Sequence, residues 1–534
     1  MGFWLLAFAQ MIAVPCSLAE QPDGVPEQVS PPPAPAAPMT FDIWEYRVAG
    51  NTRLKTTRVE RTVYPFLGPK RGLDAVEQAR AALEKAYRTA GYPTVFVDIP
   101  EQNITGGVVT LQVTEGRVDR LRITGAKYHS PRQIREEVPS LAQGEVPHLP
   151  EVKQQIEALG RESADRQVTP IMRAGRTPGT LEVELQVKDE LPLHGTLEVN
   201  GRNTEDTSRL RALGLLRYDN LWQKYHSASF MYQTSPEDTS EVEVYAGTYV
   251  LPAGLRNRLA FYGVQSNSKS QVATAGALAV IGKGTILGTR LVMPLPETAD
   301  YFQTGTVGLD YKDFSEGTEL VGADTTQTPI TYMNFMARYD GIVRGEHQQT
   351  NFGAAVNFSI RGLVSKQSEF DDKRAYSQAD YAFFTADVKN ERRLPHDFSL
   401  VTRLEGQVAD SPLISNEQFS AGGVDSVRGY YESQVLGDNA LFASVQLQTG
   451  KLIRNVDWLD TSTAFVFLDG AWLHLLKALP GEQQNSQLYG VGFGFNLRAA
   501  RKLVSDVDLA WALKDAGTIN KGDTRADFRL AYEF

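Results

Sequence analysis

The chain has 534 residues, of which 42% are hydrophobic and 22% charged, a composition typical of a folded protein. Its net charge of −10 argues against a nucleic-acid partner, because binding to phosphates requires a basic surface. After residue 20 there is no run of about twenty apolar residues, which excludes a membrane-spanning helix. A membrane barrel is compatible with this composition, because its strands alternate apolar with polar residues.

Residues 1–40 predict an exported protein. The apolar run over 3–14 is too short to span a bilayer and is typical of a secretory signal. Small residues at Ser17 and Ala19 suit cleavage, so we predict a signal peptide over 1–19. Cys16, the only cysteine, lies within it, which leaves the mature chain without thiol chemistry. The proline-rich stretch that follows predicts an extended linker over 20–40.

The next part of the sequence predicts two small α+β units with the same order of elements. In the first, an alternating strand over 41–48 precedes a helix that ends at Gly91, and strands over 94–99 and 108–114 follow. The apolar face of that helix consists of Val76, Ala79, Leu83 and Tyr87. The predicted elements of the second unit are a strand ending at Gly125, helices around 131–138 and 150–159, and strands near Val168 and over 181–187. We therefore predict domains over 41–116 and 117–190.

From residue 191 onward, helical periodicity gives way to segments of about ten residues in which apolar and polar side chains alternate. The final segment has four apolar residues on one face: Phe528, Leu530, Tyr532 and Phe534. About sixteen such segments are present, and an even number is what single-chain bacterial barrels require. The sequence therefore predicts an all-β, 16-stranded antiparallel transmembrane barrel over 191–534, preceded by the two α+β domains.

The lengths of the connections support this strand count. With the small domains in the periplasm, connections after even strands lie in the periplasm, and those are short: 252–255, 294–298, 394–396 and 498–501. Connections after odd strands lie outside and are long: near 266–282, 311–327, 360–377, 409–436, 471–485 and 513–524. Short periplasmic turns and long external loops are typical of bacterial outer-membrane barrels. We therefore predict that the barrel lies in the bacterial outer membrane, with the two small domains in the periplasm.

The longest connection, between predicted strands eleven and twelve, contains the run Val427-Arg428-Gly429-Tyr430. Gly422 and Gly423 precede it and predict a hinge, because glycine accepts backbone angles that other residues avoid. The run resembles the signature loop of the two-partner secretion outer-membrane transporters of the haemolysin-activator type. Four motifs in the first domain resemble landmarks of that family's polypeptide-transport-associated (POTRA) domain: Gly91-Tyr92-Pro93, Pro100-Glu101-Gln102, Gly106-Gly107 and Glu115-Gly116. The resemblance covers about residues 40–534 and implies two POTRA domains followed by the barrel.

The resemblance also implies that this loop enters the lumen and that Arg428 pairs there with Asp469 on the barrel wall. A cation in a narrow channel needs such a partner. Phe467 and Asp469 match the family pattern Phe-x-Asp-x-Gly, although Gly470 stands one position early, which leaves the local backbone open. From the residues alone, two alternatives stay open: a solvated loop position for Arg428 and a place among the aromatics of the barrel rim for Tyr430.

The last residues of the chain have a predicted role in membrane insertion. The resemblance implies that Tyr532 and Phe534 form the signal by which the barrel-assembly machinery inserts the chain into outer-membrane lipid.

There is no G-x-S-x-G motif, and the segment Gly282-Lys283-Gly284 lacks the spacing of a phosphate loop. The seven histidines are scattered along the sequence without metal-ligand spacing. We therefore predict no catalytic residue, no metal and no cofactor.

The leading functional hypothesis is a two-partner secretion transporter. The POTRA domains would capture an unfolded adhesin-like or haemolysin-like exoprotein in the periplasm, and the barrel would translocate it to the cell surface. An open sheet edge suits this task, since it can add a client as an extra strand. The alternatives are an assembly factor of the same superfamily, for which more than two POTRA domains are expected, and a passive pore, which leaves residues 41–188 unexplained.

Overall fold

The computed structural model describes residues 40–534 except 105, 255, 269–270, 274–278 and 319–325. The predicted signal peptide, and the predicted linker up to residue 39, lie outside the described residues. So do parts of the predicted external loops near 266–282 and 311–327. No helix in the described part of the chain is both long and apolar enough to cross a membrane.

The chain ahead of the barrel forms two small domains, which we call the first small domain (40–116) and the second small domain (117–190). The elements of the first are β1 Phe41–Ile43, β2 Glu45–Ala49, α1 Thr56–Val63, β3 Gly68–Arg71, α2 Leu73–Thr89, β4 Val95–Asp98 and β5 Val108–Glu115. Those of the second are β6 Arg117–Thr124, α3 Pro131–Glu136, α4 Leu149–Glu162, β7 Arg166–Ala174 and β8 Thr180–Asp189.

The first small domain belongs to a compact unit that ends at Gly116. Its main sheet has the order β2-β5-β4, with β2 parallel and β4 antiparallel to the central strand. Helix α2 buries the predicted apolar face, in which Val76, Ala79, Leu83 and Tyr87 are each at most 1% exposed. The helix ends before Gly91, whose φ of +90° is a conformation that favours glycine. Periodicity therefore located both the face and the end of this helix.

The prediction of a single strand over 41–48 was wrong. The chain breaks at Trp44, so that β1 pairs with β3 whereas β2 pairs with β5. At the break the Trp44 N–H donates to the Gly107 carbonyl over 2.7 Å, and a Cβ on Gly107 would lie 2.4 Å from the Trp44 ring. Alternation in the sequence indicates which side chains share a face, but not which strand each segment pairs with.

The second small domain repeats this arrangement with a sheet of order β6-β8-β7 covered by α3 and α4. Asp189, at the end of β8, fixes the loop after β6. Its fully buried carboxylate accepts the backbone N–H groups of Lys127, Tyr128 and His129 over 2.8–3.0 Å. Burial alone would raise the pKa of Asp189, but these hydrogen bonds outweigh it and hold the pKa below 3.8.

We predict that Asp189→Asn loosens the loop at 127–129, because an amide oxygen accepts these donors more weakly than a carboxylate does. The loss should be about 1–3 kcal/mol, seen as faster hydrogen exchange of those three amides in the full-length protein. Since the folded pKa is depressed, the difference between wild type and variant should be complete at neutral pH and should vanish as the pH falls through the folded pKa. Equal exchange at neutral pH would contradict this role for Asp189.

The barrel follows. In the described residues, sixteen strands close into one antiparallel ring, as the sequence predicted. They are β9 Leu193–Asn200, β10 Arg211–Leu221, β11 His226–Thr234, β12 Val242–Ala253, β13 Asn257–Ser268, β16 Gly284–Pro294, β17 Tyr301–Thr318, β18 Thr326–Arg344, β19 Gln348–Phe358, β20 Ala382–Arg393, β21 Ser399–Ala409, β24 Asn439–Gln448, β25 Leu459–His474, β26 Asn485–Ala499, β27 Leu503–Ala512 and β28 Thr524–Glu533.

The remaining elements lie in the connections between barrel strands. They are the hairpins β14 Gln271–Ala273 with β15 Ala279–Ile281 and β22 Phe419–Ala421 with β23 Val435–Gly437, and helix α5 Gln367–Lys373. The ring closes where β28 pairs with β9. The connections after β10, β12, β16, β18, β20 and β26 are turns of three to six residues on the side of the second small domain, where the ten-residue connection after β24 also lies. The connections at the other end have seven residues or more. The predicted alternation of long and short connections is therefore confirmed.

Candidate functional site in the barrel lumen

The connection between β21 and β24, residues 410–438, folds back into the barrel; we call it loop six. Gly422, Gly423 and Gly429 have φ values of +110°, +98° and +97°, which allow the sharp reversals of its backbone. Val427 and Tyr430, at its tip, are completely buried. They pack against wall residues on four strands: Ala440, Phe442, Ala471, Leu473, Leu488 and Ala512. A loop tip buried by the wall on this scale is neither solvated nor at the rim.

Arg428 lies between these two residues and pairs with Asp469 of β25. Its Nε is 2.7 Å from Asp469 Oδ2 and its Nη2 is 2.9 Å from Oδ1, a two-pronged contact. The Arg428 N–H also donates to Asp469 Oδ2 over 3.2 Å, and the Ser444 hydroxyl donates to Oδ1 over 2.6 Å. The side chains are 9% and 0% exposed, so each charge depends on the other for neutralisation.

Two phenylalanines lie under the guanidinium. The Arg428 Cζ is 3.3 Å from the centroid of the Phe467 ring and 5.8 Å from that of Phe465. On the facing strand β26, Gly492 and Gly494 make room for these rings, since a Cβ on either would lie within 2.5 Å of one. Phe465, Phe467 and Asp469 therefore share the inner face of β25.

The strand keeps its register through Gly470, which pairs with Ala443 and Tyr489 on its two sides. The early glycine therefore leaves the backbone of β25 regular. On the outer face of the same strand, Val466 and Leu468 are 55% and 54% exposed, as residues facing lipid are in a membrane barrel.

Tyr430 anchors the other side of the loop tip. Its hydroxyl lies 3.0 Å from the Tyr489 carbonyl oxygen and 2.8 Å from that of Lys514, and it accepts the Lys514 N–H over 3.2 Å. The loop backbone lies directly on β26, where a Cβ on Gly490 would be 2.0 Å from the Arg428 carbonyl oxygen. The lack of a side chain at Gly490 therefore allows the loop backbone to contact the barrel wall at this position.

Loop six also contacts the segment after β9, the first strand of the barrel, which sequence reasoning missed. Asp425 pairs with Arg202, just after β9, at 2.5 Å, and the Glu432 N–H donates to the Asn203 carbonyl over 3.0 Å. These pairs join segments more than 200 residues apart, and no spacing pattern in the sequence indicates them. Loop six therefore connects the wall around β25 with the first strand of the barrel.

The predicted terminal residues lie elsewhere. Tyr532 and Phe534 are each 43% exposed on the outside of the barrel, with ring centroids 5.9 Å apart. The Phe534 N–H and carbonyl form hydrogen bonds with Gly195 of β9 over 3.0 and 2.9 Å. These residues therefore close the ring and do not contact the loop-six site.

A polar cavity of about 440 Å³ lies beside the loop tip within the lumen. Its wall carries both signs of charge, on Lys389, Glu391, Arg403, Asp506, Asp508 and Arg529. The charges on this wall make the cavity hydrophilic.

Comparison with known proteins identifies the chain. The family model described as haemolysin secretion/activation protein ShlB/FhaC/HecB matches residues 179–497, and the model for the ShlB-type POTRA domain matches residues 41–116. The chain belongs to the haemolysin secretion/activation protein family. It is an outer-membrane transporter of two-partner secretion, and its POTRA domains lie in the periplasm.

Individual relatives agree with this assignment. The outer membrane transporter CdiB of Dickeya dadantii (strain 3937) is 23% identical over 513 residues, which cover 92% of this chain and 87% of the relative. The structure of CdiB from Escherichia coli matches with a TM-score of 0.62 at 19% identity, covering 95% of this chain and 93% of that one. A BamA structure from Haemophilus ducreyi lacking POTRA domains 1–3 has the same fold, with a TM-score of 0.57, 14% identity and coverage of 92% and 100%.

We predict that Gly490→Ala displaces loop six without removing any polar group, because the new Cβ would lie 2.0 Å from the backbone carbonyl oxygen of Arg428. A clash of this kind costs about 1–3 kcal/mol, roughly a five- to 150-fold rise in hydrogen exchange over 422–434. Gly247→Ala is the matched control, since its Cβ would have no neighbour closer than 3.9 Å. Unchanged exchange in Gly490→Ala would contradict the docked position of the loop.

Proposed function

We propose that this transporter captures an unfolded exoprotein in the periplasm through its POTRA domains and translocates it through the barrel. The observation that supports this most is the docking of loop six through the Arg428–Asp469 pair. That pair docks the tip of a long loop across the passage, together with the packing around it and the ion pairs of Asp425 and Asp438 elsewhere in the loop. A loop held in this way can leave the lumen without unfolding the barrel wall.

A second closure lies at the external end of the lumen. Helix α5 packs with inward-facing residues of several strands and of loop six in an apolar cluster that includes Phe314, Ile330, Tyr332, Phe370, Leu413 and Ile414. Arg374, just after α5, pairs with the fully buried Asp438 of loop six, with Nη1–Oδ1 and Nη2–Oδ2 distances of 2.5 and 2.9 Å. Because Asp438 belongs to loop six, withdrawal of the loop would loosen this external closure too. Client passage thus requires the two closures to open together.

Capture would use an open edge of the sheet in the first small domain. Strand β4 is an edge strand that buries Val95 and Val97, whereas Phe96 between them is 54% exposed. An edge strand offers unpaired backbone groups to any extended segment, and an exposed aromatic adds apolar contact without demanding a particular sequence. We therefore propose β4 as the strand to which the client adds.

The outer membrane supplies no ATP, so folding of the client outside the cell would make its movement one-way. The client is a secreted exoprotein of adhesin-like or haemolysin-like type. Outer-membrane lipid surrounds the barrel, and the terminal strand with Tyr532 and Phe534 would be recognised by the barrel-assembly machinery during insertion.

The alternative is an assembly factor that inserts other barrels, and the shared fold with BamA keeps this function within the superfamily. The two functions differ in what a depletion strain loses. Loss of a single exoprotein from the surface supports secretion, whereas loss of many unrelated outer-membrane proteins would support assembly.

We predict that Arg428→Ala strongly reduces secretion of the client while the barrel still reaches the membrane. Removing one member of a buried ion pair costs about 3–5 kcal/mol and here falls on the docked loop. Arg290→Ala is the matched control, since it breaks a second buried lumen pair, Arg290–Asp310 at 2.6 Å, away from loop six. Normal secretion by Arg428→Ala, or an equal defect in the control, would contradict a specific role for the loop.

We predict that Phe96→Ala lowers secretion several-fold, because it removes apolar contact at the proposed capture edge. Leu73→Ala in the same domain is the control, since Leu73 is 63% exposed on α2 and lies off the sheet edge. Secretion is measured as client in the medium, with transporter in the outer membrane quantified alongside. Equal secretion by Phe96→Ala and wild type would rule out β4 as the capture edge.

A further inference from the structure

Three side chains with metal-binding groups meet where the second small domain joins the barrel. Asp165 lies in the turn between α4 and β7, His194 is the second residue of β9, and Asp219 lies near the end of β10. His194 Nε2 is 3.0 Å from Asp165 Oδ2 and 3.5 Å from Asp219 Oδ2. The fold thus brings one imidazole and two carboxylates together, although the histidines showed no metal-ligand spacing in the sequence.

The two carboxylates of this cluster have different sets of partners. A single imidazole nitrogen carries at most one hydrogen, yet His194 Nε2 faces two carboxylates. Asp219 has further donors, with Arg217 Nε at 3.1 Å from Oδ2 and the Ser227 hydroxyl at 2.5 Å from Oδ1. In the described part of the chain, His194 is the one side chain within hydrogen-bonding distance of the Asp165 carboxylate, which is only 12% exposed. A bound cation would give the Asp165 carboxylate a charged partner, while neutral His194 would bind the same cation through its Nε2 lone pair.

We propose that Asp165, His194 and Asp219 bind a divalent cation of the zinc class. Tetrahedral zinc with bonds of about 2.0–2.1 Å places its ligand atoms about 3.3 Å apart, and the two observed distances lie on either side of that value. One imidazole with two carboxylates is a mixed nitrogen and oxygen set that suits zinc, whereas calcium and magnesium prefer oxygen alone. Three protein ligands leave a fourth position for water.

The ligand positions are held by the backbone around them. The Asp219 N–H donates to the Pro192 carbonyl over 2.8 Å, and the Glu190 N–H donates to the Asp165 carbonyl over 2.9 Å. His194 lies opposite Arg217 in the β9–β10 ladder, two residues from Asp219. Asp165 belongs to the small domain and the other two ligands to the barrel, so the cation would join the two and stabilise the folded joint in proportion to its occupancy.

Zinc binding to the full-length protein in detergent tests this site. After chelation and dialysis against micromolar zinc chloride, bound metal is counted by mass spectrometry. We expect one zinc ion per wild-type chain, lost in His194→Ala and in the isosteric Asp165→Asn. His347→Ala is the control, because it removes a 73%-exposed histidine beside Glu346 at another turn and should keep the bound zinc. Zinc should also slow proteolysis between the small domain and the barrel in wild type and control alone.

Each outcome decides the proposal. Heat-dependent gel mobility shows that the variant barrels are folded, so loss of zinc from both ligand variants supports the site. Absence of zinc from wild type, or equal zinc in wild type and His194→Ala, overturns it. Altered thermal stability of Asp165→Asn without zinc binding by wild type would likewise overturn it, since a hydrogen-bonded pair alone explains that result.

Discussion

The structure of the lumen depends on the need to neutralise one buried cation. The Arg428 guanidinium is carried into the barrel at the tip of a 29-residue connection and is almost completely removed from water. Three side chains stabilise the guanidinium in this position. Asp469 supplies the opposite charge, Ser444 donates a hydrogen bond to that carboxylate, and the ring of Phe467 lies against the face of the guanidinium. Because a charge without its partner is far more costly than the pair, the loop has one strongly preferred seat rather than many weak ones.

The single docked position of loop six also explains why three glycines occur on β26. Gly490 lets the loop backbone touch the wall, whereas Gly492 and Gly494 leave space for the rings under the arginine. In sequence these residues look like ordinary alternation on a barrel strand. In the structure they form a groove without side chains, shaped for one loop conformation.

The large-scale fold was predictable because it follows from periodicity and connection length. Alternation over ten residues identified the sixteen strands, and the long and short connections gave their orientation. The face of α2 followed from the spacing of Val76 to Tyr87. What the sequence did not indicate is what depends on pairing between distant segments: the partner change at Trp44, the contact of Asp425 with Arg202, and the cluster around His194. Such contacts leave no periodic pattern in the sequence, because they depend on how distant segments meet in the fold. The seat of Arg428 came from its resemblance to a family rather than from physical inference.

The hydrogen bonds between Phe534 and Gly195 have a consequence for how the protein folds. Glu198 of the first strand and Arg529 of the last are 331 residues apart, and all the other strand pairs of the ring join neighbours in the chain. The contact order is therefore low everywhere except at one junction, where closure must bring together the two ends of the barrel sequence. Hairpins can form early and locally, but the unpaired edges of β9 and β28 stay exposed until that last encounter. Barrel closure is thus the step before which these two strand edges can still pair with another chain.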